Sequence, residues 1–139
     1  AAPYLTQALD SLASQTESNF EVLAVYDHSS DGSLEILQAW VKKDPRFQIV
    51  NGLGKGLVDA LNLGLKHARG QYIARMDADD ISLPNRLEIQ LHQFLKNTNL
   101  ILCGSYYNII YKIIIHFVYI YNLFLFLSIF NKLIYSFIK

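Results

Sequence analysis

The sequence predicts an α/β protein with a mainly parallel sheet and helices on both of its faces. Over the first 104 residues, short apolar runs alternate with segments of about a dozen residues that carry apolar side chains at helical spacing. Strands separated by helices of this length form right-handed crossovers and parallel sheets. The chain has 139 residues, which is enough for one domain and its core.

Two helices and two strands are predicted before residue 51. Residues 4–15 place apolar side chains at helical spacing, and residues 21–26 form a short apolar run typical of a buried strand. Residues 34–43 predict the second helix, with Glu35 in its first turn and two lysines in its last. Residues 47–50 predict the second strand.

The pattern continues to residue 103. A flexible glycine-containing loop at 51–56 leads into a predicted helix at 57–68, and residues 72–76 predict a third strand. Another helix follows Pro84, because apolar side chains again recur at helical spacing. Residues 100–103 predict a fourth strand.

Residues 105–139 differ from the rest of the chain. They hold 25 apolar residues, three lysines and no acidic residue, whereas residues 1–104 hold nine basic and 12 acidic residues. The 19 residues between Lys112 and Lys132 are about long enough to cross a bilayer core of roughly 30 Å. A membrane-spanning segment and a frame-shifted or read-through tail both stay open, because A- and T-rich codons encode much of this residue set. We therefore divide the chain into a domain at 1–104 and an apolar low-complexity tail at 105–139.

Charge and cysteine content exclude several classes of protein. Twelve basic and 12 acidic residues give no net charge, so nothing favours nucleic acid as a partner. The single cysteine, Cys103, excludes an intramolecular disulfide framework and a cysteine-rich metal site. No secretory signal is visible, so we expect a cytoplasmic protein, at the inner face of a membrane if the tail makes membrane contact.

Acidic residues follow two of the predicted strands. Asp27 follows the strand at 21–26, and Asp77, Asp79 and Asp80 follow the strand at 72–76. Parallel sheets bind ligands at the carboxyl ends of their strands. Repulsion between two carboxylates about 4 Å apart costs on the order of 1 to 4 kcal/mol. A bound divalent cation relieves this repulsion. Oxygen ligands without His or Cys favour Mg²⁺ or Mn²⁺; the alternative is a solvated turn that caps the next helix.

Other candidate residues give weaker signals. The glycines of 52–56 match neither the Walker pattern nor the dinucleotide fingerprint, which favours a surface loop. His28 is either an acid or base or an exposed loop residue. Lys55 and Arg75 either bind a phosphate or are solvated or packing residues.

The order and spacing of these motifs resemble the family 2 glycosyltransferases of the GT-A fold over residues 4–104. The matching motifs are Tyr4-Leu5, Ser11-Leu12, Gln15-Thr16, Asn19-Phe20-Glu21, Asp27-His28-Ser29-Ser30-Asp31-Gly32-Ser33, Asn62-Leu63-Gly64-Leu65, Ala68-Arg69-Gly70, Tyr72-Ile73-Ala74-Arg75-Met76-Asp77-Ala78-Asp79-Asp80, Leu83-Pro84 and Arg86-Leu87. The resemblance implies a Rossmann-like fold that binds a nucleotide-diphospho-sugar and transfers the sugar to a hydroxyl of a glycan, lipid or other acceptor.

The resemblance also implies roles for three aspartates. The Asp-x-Asp element, Asp77 and Asp79, would hold Mn²⁺ or Mg²⁺ against the donor diphosphate, where the metal acts as a Lewis acid. Asp77 would thereby also contact substrate. Asp27 would help bind the nucleobase and ribose.

The chain departs from the family pattern in three places. Asp27 is followed by His28 where the family has a second aspartate, and the family's first strand is missing before Tyr4. No acidic residue follows Glu88, so the sequence offers no general base. We therefore expect a truncated, weakly active or inactive glycosyltransferase.

Three other functions are alternatives to this prediction. A non-catalytic nucleotide-sugar-binding or structural remnant is the main alternative. A phosphotransfer enzyme of the haloacid-dehalogenase type carries Asp-x-Asp on its first strand, followed by Thr or Val, whereas Ile81 follows here. A response-regulator receiver needs a lysine after a later strand.

Overall fold

Helices and strands alternate from α1 to α4, as the sequence predicts for the first 104 residues. The computed structural model describes residues 2–105, 109–110, 115–116 and 135–138. The helices are α1 (Ala2–Ala13), α2 (Ser33–Lys43), α3 (Leu57–His67) and α4 (Arg86–Lys96). The strands are β1 (Val22–Tyr26), β2 (Phe47–Asn51), β3 (Arg75–Asp77), β4 (Ile109–Ile110), β5 (Ile115–His116) and β6 (Tyr135–Ile138). The α/β fold class is confirmed.

The main sheet has four parallel strands in the order β2-β1-β6-β3. Val22 of β1 pairs with Phe47 of β2, and β6 pairs with β1 on one side and β3 on the other. Because all four strands run in one direction, their carboxyl ends share one edge. Strands β4 and β5 form a separate antiparallel pair.

Both faces of β1 are buried. Val22 and Ala24 belong to a core formed with α1, α2 and α4, whereas Leu23 and Val25 pack with Ala60 of α3 on the other face. The first core contains the largest fully buried side chains of α1 and α2: Leu5, Leu9, Leu12 and Leu37. A strand covered on both faces is a continuous apolar run, which is the pattern of residues 22–25.

An aromatic contact lies at the amino edge of the sheet. The ring centroids of Trp40 in α2 and Phe47 are 5.0 Å apart, and the Nζ atom of Lys43 lies 3.9 Å from the Trp40 ring centroid. Phe47 is the first residue of β2. The contact therefore lies at the end of the sheet opposite to Asp27.

Two strand predictions differ from the structure. The predicted strand at 72–76 is limited to Arg75–Asp77, where β3 pairs with β6. The predicted strand at 100–103 is wrong. The N–H of Leu100 donates to the carbonyl of Asn97 in a turn, and Ile101 is 71% exposed, so this apolar run does not enter the core.

No helix in the described part of the chain is long and apolar enough to cross a membrane. The predicted membrane-spanning segment between Lys112 and Lys132 lies outside the described residues, apart from positions 115–116. The division of the chain at residue 104 stays a prediction.

Asp44 and Arg46 connect the end of α2 to α1, and their contact predicts an acid-sensitive contribution to stability. The Nε atom of Arg46 lies 3.1 Å from each carboxylate oxygen of Asp44, and its guanidinium also donates to the Ala13 carbonyl at 3.0 Å. The hydrogen bonds from Arg46 lower the pKa of Asp44. This stabilisation is complete above the unfolded-state pKa, near pH 4, and is lost as the pH falls through the folded-state pKa.

Replacing Asp44 with asparagine is therefore expected to lower the free energy of unfolding by about 1–2 kcal/mol at pH 7, and by less near pH 3. Urea denaturation at both pH values measures this difference. Asp10→Asn is the control, because Asp10 is exposed and its carboxylate lies 3.8 Å from Lys43. An equal loss at the two pH values would contradict the prediction.

Candidate functional site

The predicted site residues lie at the carboxyl edge of the sheet. Asp27 directly follows β1, and Asp77 is the last residue of β3, paired with Phe137 of β6. Because β6 lies between β1 and β3, these two strands are about 10 Å apart. The edge therefore carries one acidic residue after β1 and an acidic turn, defined as residues 77–80, after β3.

Asp27 binds the backbone of the glycine loop, residues 51–56. Its Oδ1 atom accepts a hydrogen bond from the Gly54 N–H at 2.7 Å, and its Oδ2 atom accepts one from the Gly56 N–H at 3.1 Å. Gly54 and Gly56 have φ values of 68° and 91°, a left-handed backbone that favours glycine. Asp27 thus holds the glycine loop at the same edge of the sheet.

His28 contacts the glycine loop from its other end. Its φ of 59° is left-handed, and its Nε2 atom lies 3.2 Å from the carbonyl oxygen of Gly52. His28 is exposed to solvent. His28 is therefore an exposed loop residue that also contacts the glycine loop.

The acidic turn contains one buried alanine and three carboxylates. Ala78 is buried in the core, while Asp79 and Asp80 are exposed and Asp77 is half-buried. The Asp80 N–H donates to the carbonyl of Asp77 at 3.1 Å. Partial desolvation of the carboxyl group, together with the negative charges of Asp77 and Asp79, raises the pKa of Asp80 above its usual value. A cation at this turn would relieve that repulsion.

Two arginines supply positive charge beside the acidic turn. Arg75 donates to Oδ1 of Asp77 at 2.6 Å. Arg86 donates to the carbonyl oxygen of Arg75 at 2.9 Å, and burial lowers the pKa of Arg86 while its attraction to Asp80 opposes that shift. The buried Nε atom of Arg86 has no hydrogen-bond partner among the described residues. Arg86 thus connects the start of β3 to the start of α4.

The acidic turn fits a metal that shares its coordination with a phosphate. Among residues 2–105, and the short strands described after them, no group of three or more His, Cys, Asp or Glu side chains converges to hold a metal. Mg²⁺ is commonly held by one or two carboxylates together with substrate phosphates and water, without a closed protein cage. Asp77 and Asp79 provide two carboxylates; their role as metal ligands stays a prediction.

A cavity of about 280 Å³ lies away from the acidic turn. It is lined by residues of β1 and β2 together with His67 and Arg69. The backbone N–H of Arg69 donates to the buried carboxylate of Glu21 at 2.9 Å, and its guanidinium also contacts that carboxylate. This ion pair joins the end of α3 to the residue before β1, which is a structural role.

The sequence did not indicate that the glycine loop belongs to the site. Its donors to Asp27 are backbone N–H groups, which every residue except proline possesses. The one available signal was a glycine at every second position, namely Gly52, Gly54 and Gly56. That spacing is consistent with a loop that needs left-handed backbone and close approach to a neighbour.

Known proteins share the sequence that forms this edge. A family model described as Glycosyl transferase family 2 matches residues 1–126. A Haemophilus influenzae protein described as an uncharacterized glycosyltransferase is 37% identical over 111 residues, which are 79% of this chain and 34% of that protein. The glycosyltransferase GlyG of Streptococcus pneumoniae is 34% identical over 106 residues, which are 76% of this chain and 35% of GlyG.

A third relative is a much longer protein. The chondroitin synthase of Pasteurella multocida is 33% identical over 99 residues, which are 71% of this chain and 10% of that enzyme. The chain thus spans about a third or less of the length of each of these relatives. The residues matched by the family model, 1–126, include β1, β3 and the aspartates at their carboxyl ends.

Proposed function

The chain belongs to glycosyl transferase family 2, and we propose that it binds a nucleotide-diphospho-sugar at the carboxyl edge of its sheet for transfer of the sugar to an acceptor hydroxyl. The observation that carries this proposal is the placement of Asp27, the glycine loop and the acidic turn at one edge. Parallel α/β sheets bind nucleotides at this edge.

Each part of the edge has a proposed role. Asp77 and Asp79 hold Mn²⁺ or Mg²⁺, which supplies positive charge to the leaving nucleoside diphosphate. Asp27 contacts the nucleobase or ribose and keeps the glycine loop in place. Two carboxylate oxygens can accept about four hydrogen bonds, so Asp27 retains acceptor capacity beyond the two N–H groups of the loop.

We propose that these 139 residues transfer sugar weakly or not at all. No acidic residue follows Glu88 in the sequence, so the chain offers no later carboxylate as general base. A positioned base contributes about 10²- to 10⁴-fold to a rate. The same observation favours the second candidate function, which is donor binding without transfer. Sugar transfer, and donor hydrolysis without acceptor, distinguish the two.

The acceptor and the location of the protein belong to the same proposal. The acceptor is a hydroxyl of a glycan, a lipid or another molecule, and the donor is used in the cytoplasm. Residues 105–139 provide the membrane contact if the acceptor is at the inner face of a membrane.

Isothermal calorimetry with the whole chain tests the donor site. We expect UDP, GDP, CDP or dTDP, or a sugar conjugate of one of them, to bind in the presence of Mn²⁺ and to lose that binding in EDTA. The absence of metal-dependent binding for all of them would contradict the proposal. Hydrolysis of a generic phosphoester would instead indicate a haloacid-dehalogenase-type enzyme.

A further inference from the structure

We propose that Gln15 is a positioning residue for the acidic turn. Its side-chain amide fixes the segment that leads from Asp80 into α4, and so holds the turn in the geometry that binds metal. The inference deepens the proposed function and rests on it for the metal. The contacts that carry it are hydrogen bonds between residues of this chain.

The Gln15 amide is buried and uses both of its ends. The residue is 7% exposed. Its Nε2 atom donates to the carbonyl oxygen of Leu83 at 2.7 Å and lies 3.2 Å from the Ser82 hydroxyl. Its Oε1 atom accepts from the N–H of Leu87 at 3.1 Å. One side chain just after α1 therefore contacts both the segment before α4 and the first turn of that helix.

Gln15 supplies an acceptor that α4 does not provide for itself. The first N–H groups of a helix have no partner within the helix, and a side chain just before it usually accepts from them. Asn85 stands at that position and makes no such hydrogen bond. The carboxamide of Gln15, 72 residues earlier in the chain, accepts from Leu87 instead. Its position relative to α1 is set by a hydrogen bond to the Ser11 carbonyl at 3.0 Å.

Other residues at the end of α1 reinforce the same contact. The Ser82 N–H donates to Oγ of Ser11 at 3.0 Å, and the Thr16 N–H donates to the Pro84 carbonyl at 2.8 Å. The hydroxyl of Thr16 also donates to Glu88 at 2.6 Å. Every residue from Ser82 to Pro84 thus forms at least one hydrogen bond with residues 11–16.

These contacts fix one end of the acidic turn, and the sheet fixes the other. Asp77 is held by the pairing of β3 with β6, and Ser82 lies three residues after Asp79. Only residues 78–81 lie between Asp77 and Ser82. The positions of the carboxylates in the acidic turn therefore depend on both of its fixed ends. Partners that orient metal ligands typically change metal affinity by about 10- to 100-fold when they are replaced.

Glutamate at position 15 tests the role of the amide with little change in shape. An ionised carboxylate cannot donate, so it would face the Leu83 carbonyl and lose that hydrogen bond. In Gln15→Glu we expect faster hydrogen exchange at the N–H groups of Ser82 and Leu87. We also expect about 10-fold weaker Mn²⁺ binding. Electron paramagnetic resonance measures it in the presence of a saturating concentration of the nucleoside diphosphate that calorimetry identifies.

Gln48→Glu is the matched control. It makes the same chemical change on β2, beside Glu21, where the Gln48 amide lies 3.4 Å from the Glu21 carboxylate. We expect it to affect overall stability without changing exchange at Ser82 and Leu87 or the affinity for Mn²⁺. Ser11→Ala is a second, milder variant, which removes the acceptor of the Ser82 N–H and retains a good helix former.

The two measurements separate this inference from the proposed function. Faster exchange and weaker Mn²⁺ binding in Gln15→Glu or Ser11→Ala, but not in Gln48→Glu, support it. Unchanged exchange, or unchanged Mn²⁺ affinity in a variant with faster exchange, overturns it. If the unaltered chain binds no Mn²⁺, both the proposed metal site and the positioning role of Gln15 are overturned. Faster hydrogen exchange in Gln15→Glu would then show only that Gln15 has a structural contact with the segment before α4.

Discussion

Replacing Asp79 with alanine is expected to weaken Mn²⁺-dependent nucleotide binding by about 100-fold or more. The variant leaves Asp77 as the one remaining ligand of the proposed pair, and the loss of a ligand exceeds the 10- to 100-fold effects of residues that only orient ligands. The same change removes a negative charge that raises the pKa of Asp80. Without metal, the thermal stability of the variant should therefore be equal to or slightly above that of the unaltered chain.

Calorimetry and thermal unfolding measure these two effects on the same samples. Asp59→Ala is a suitable control, because Asp59 is an exposed acidic residue in the first turn of α3. Its replacement should leave nucleotide binding unchanged. Equal affinities in Asp79→Ala and the unaltered chain would exclude Asp79 as a metal ligand.

Replacing Gly52 with alanine is expected to displace Asp27 and the glycine loop together. A Cβ atom at Gly52 would lie 2.4 Å from Oδ1 of Asp27 and 3.1 Å from both its Cα atom and the Tyr26 carbonyl oxygen. Movement of the Asp27 carboxylate would break its hydrogen bonds to the N–H groups of the loop. We expect a loss of about 2–3 kcal/mol in stability and at least a 10-fold loss in nucleotide affinity.

Chemical denaturation and calorimetry test this prediction. Gly104→Ala is the control, because no described residue other than its chain neighbours lies within 4 Å of a Cβ atom built there. If Gly52→Ala matched the unaltered chain in both denaturation midpoint and affinity, then the contact between Asp27 and the loop would have no role in binding.

Local sequence patterns predicted the helices well because helix formation depends on neighbouring residues. The helix predicted at 57–68 corresponds to Leu57–His67, and that predicted at 34–43 corresponds to Ser33–Lys43. Strand predictions depend on a distant partner. Residues 100–103 have a strand-like composition, yet they do not pair in the sheet and Ile101 is largely exposed.

The position of the aspartates at the carboxyl edge of the sheet could be predicted, but their contacts could not. Asp27 and Asp77 come at the ends of parallel strands, and that topology places them at one edge regardless of side-chain detail. The contact of Asp27 with the glycine loop depends on backbone N–H groups 27 and 29 residues away. The contact of Gln15 with α4 joins residues 72 apart, and a glutamine at the end of a helix gives no sign of such a partner.

The position of Trp40 allows its fluorescence to distinguish unfolding of the core from binding of a nucleotide. It is the single tryptophan of the chain, and it packs with Phe47 at the amino edge of the sheet. The five residues of β2 extend about 13–17 Å from there to the edge that carries Asp27. Its fluorescence should therefore change when the core unfolds and stay constant when a nucleotide binds, so the emission of each variant reports whether the core is intact before affinity is compared.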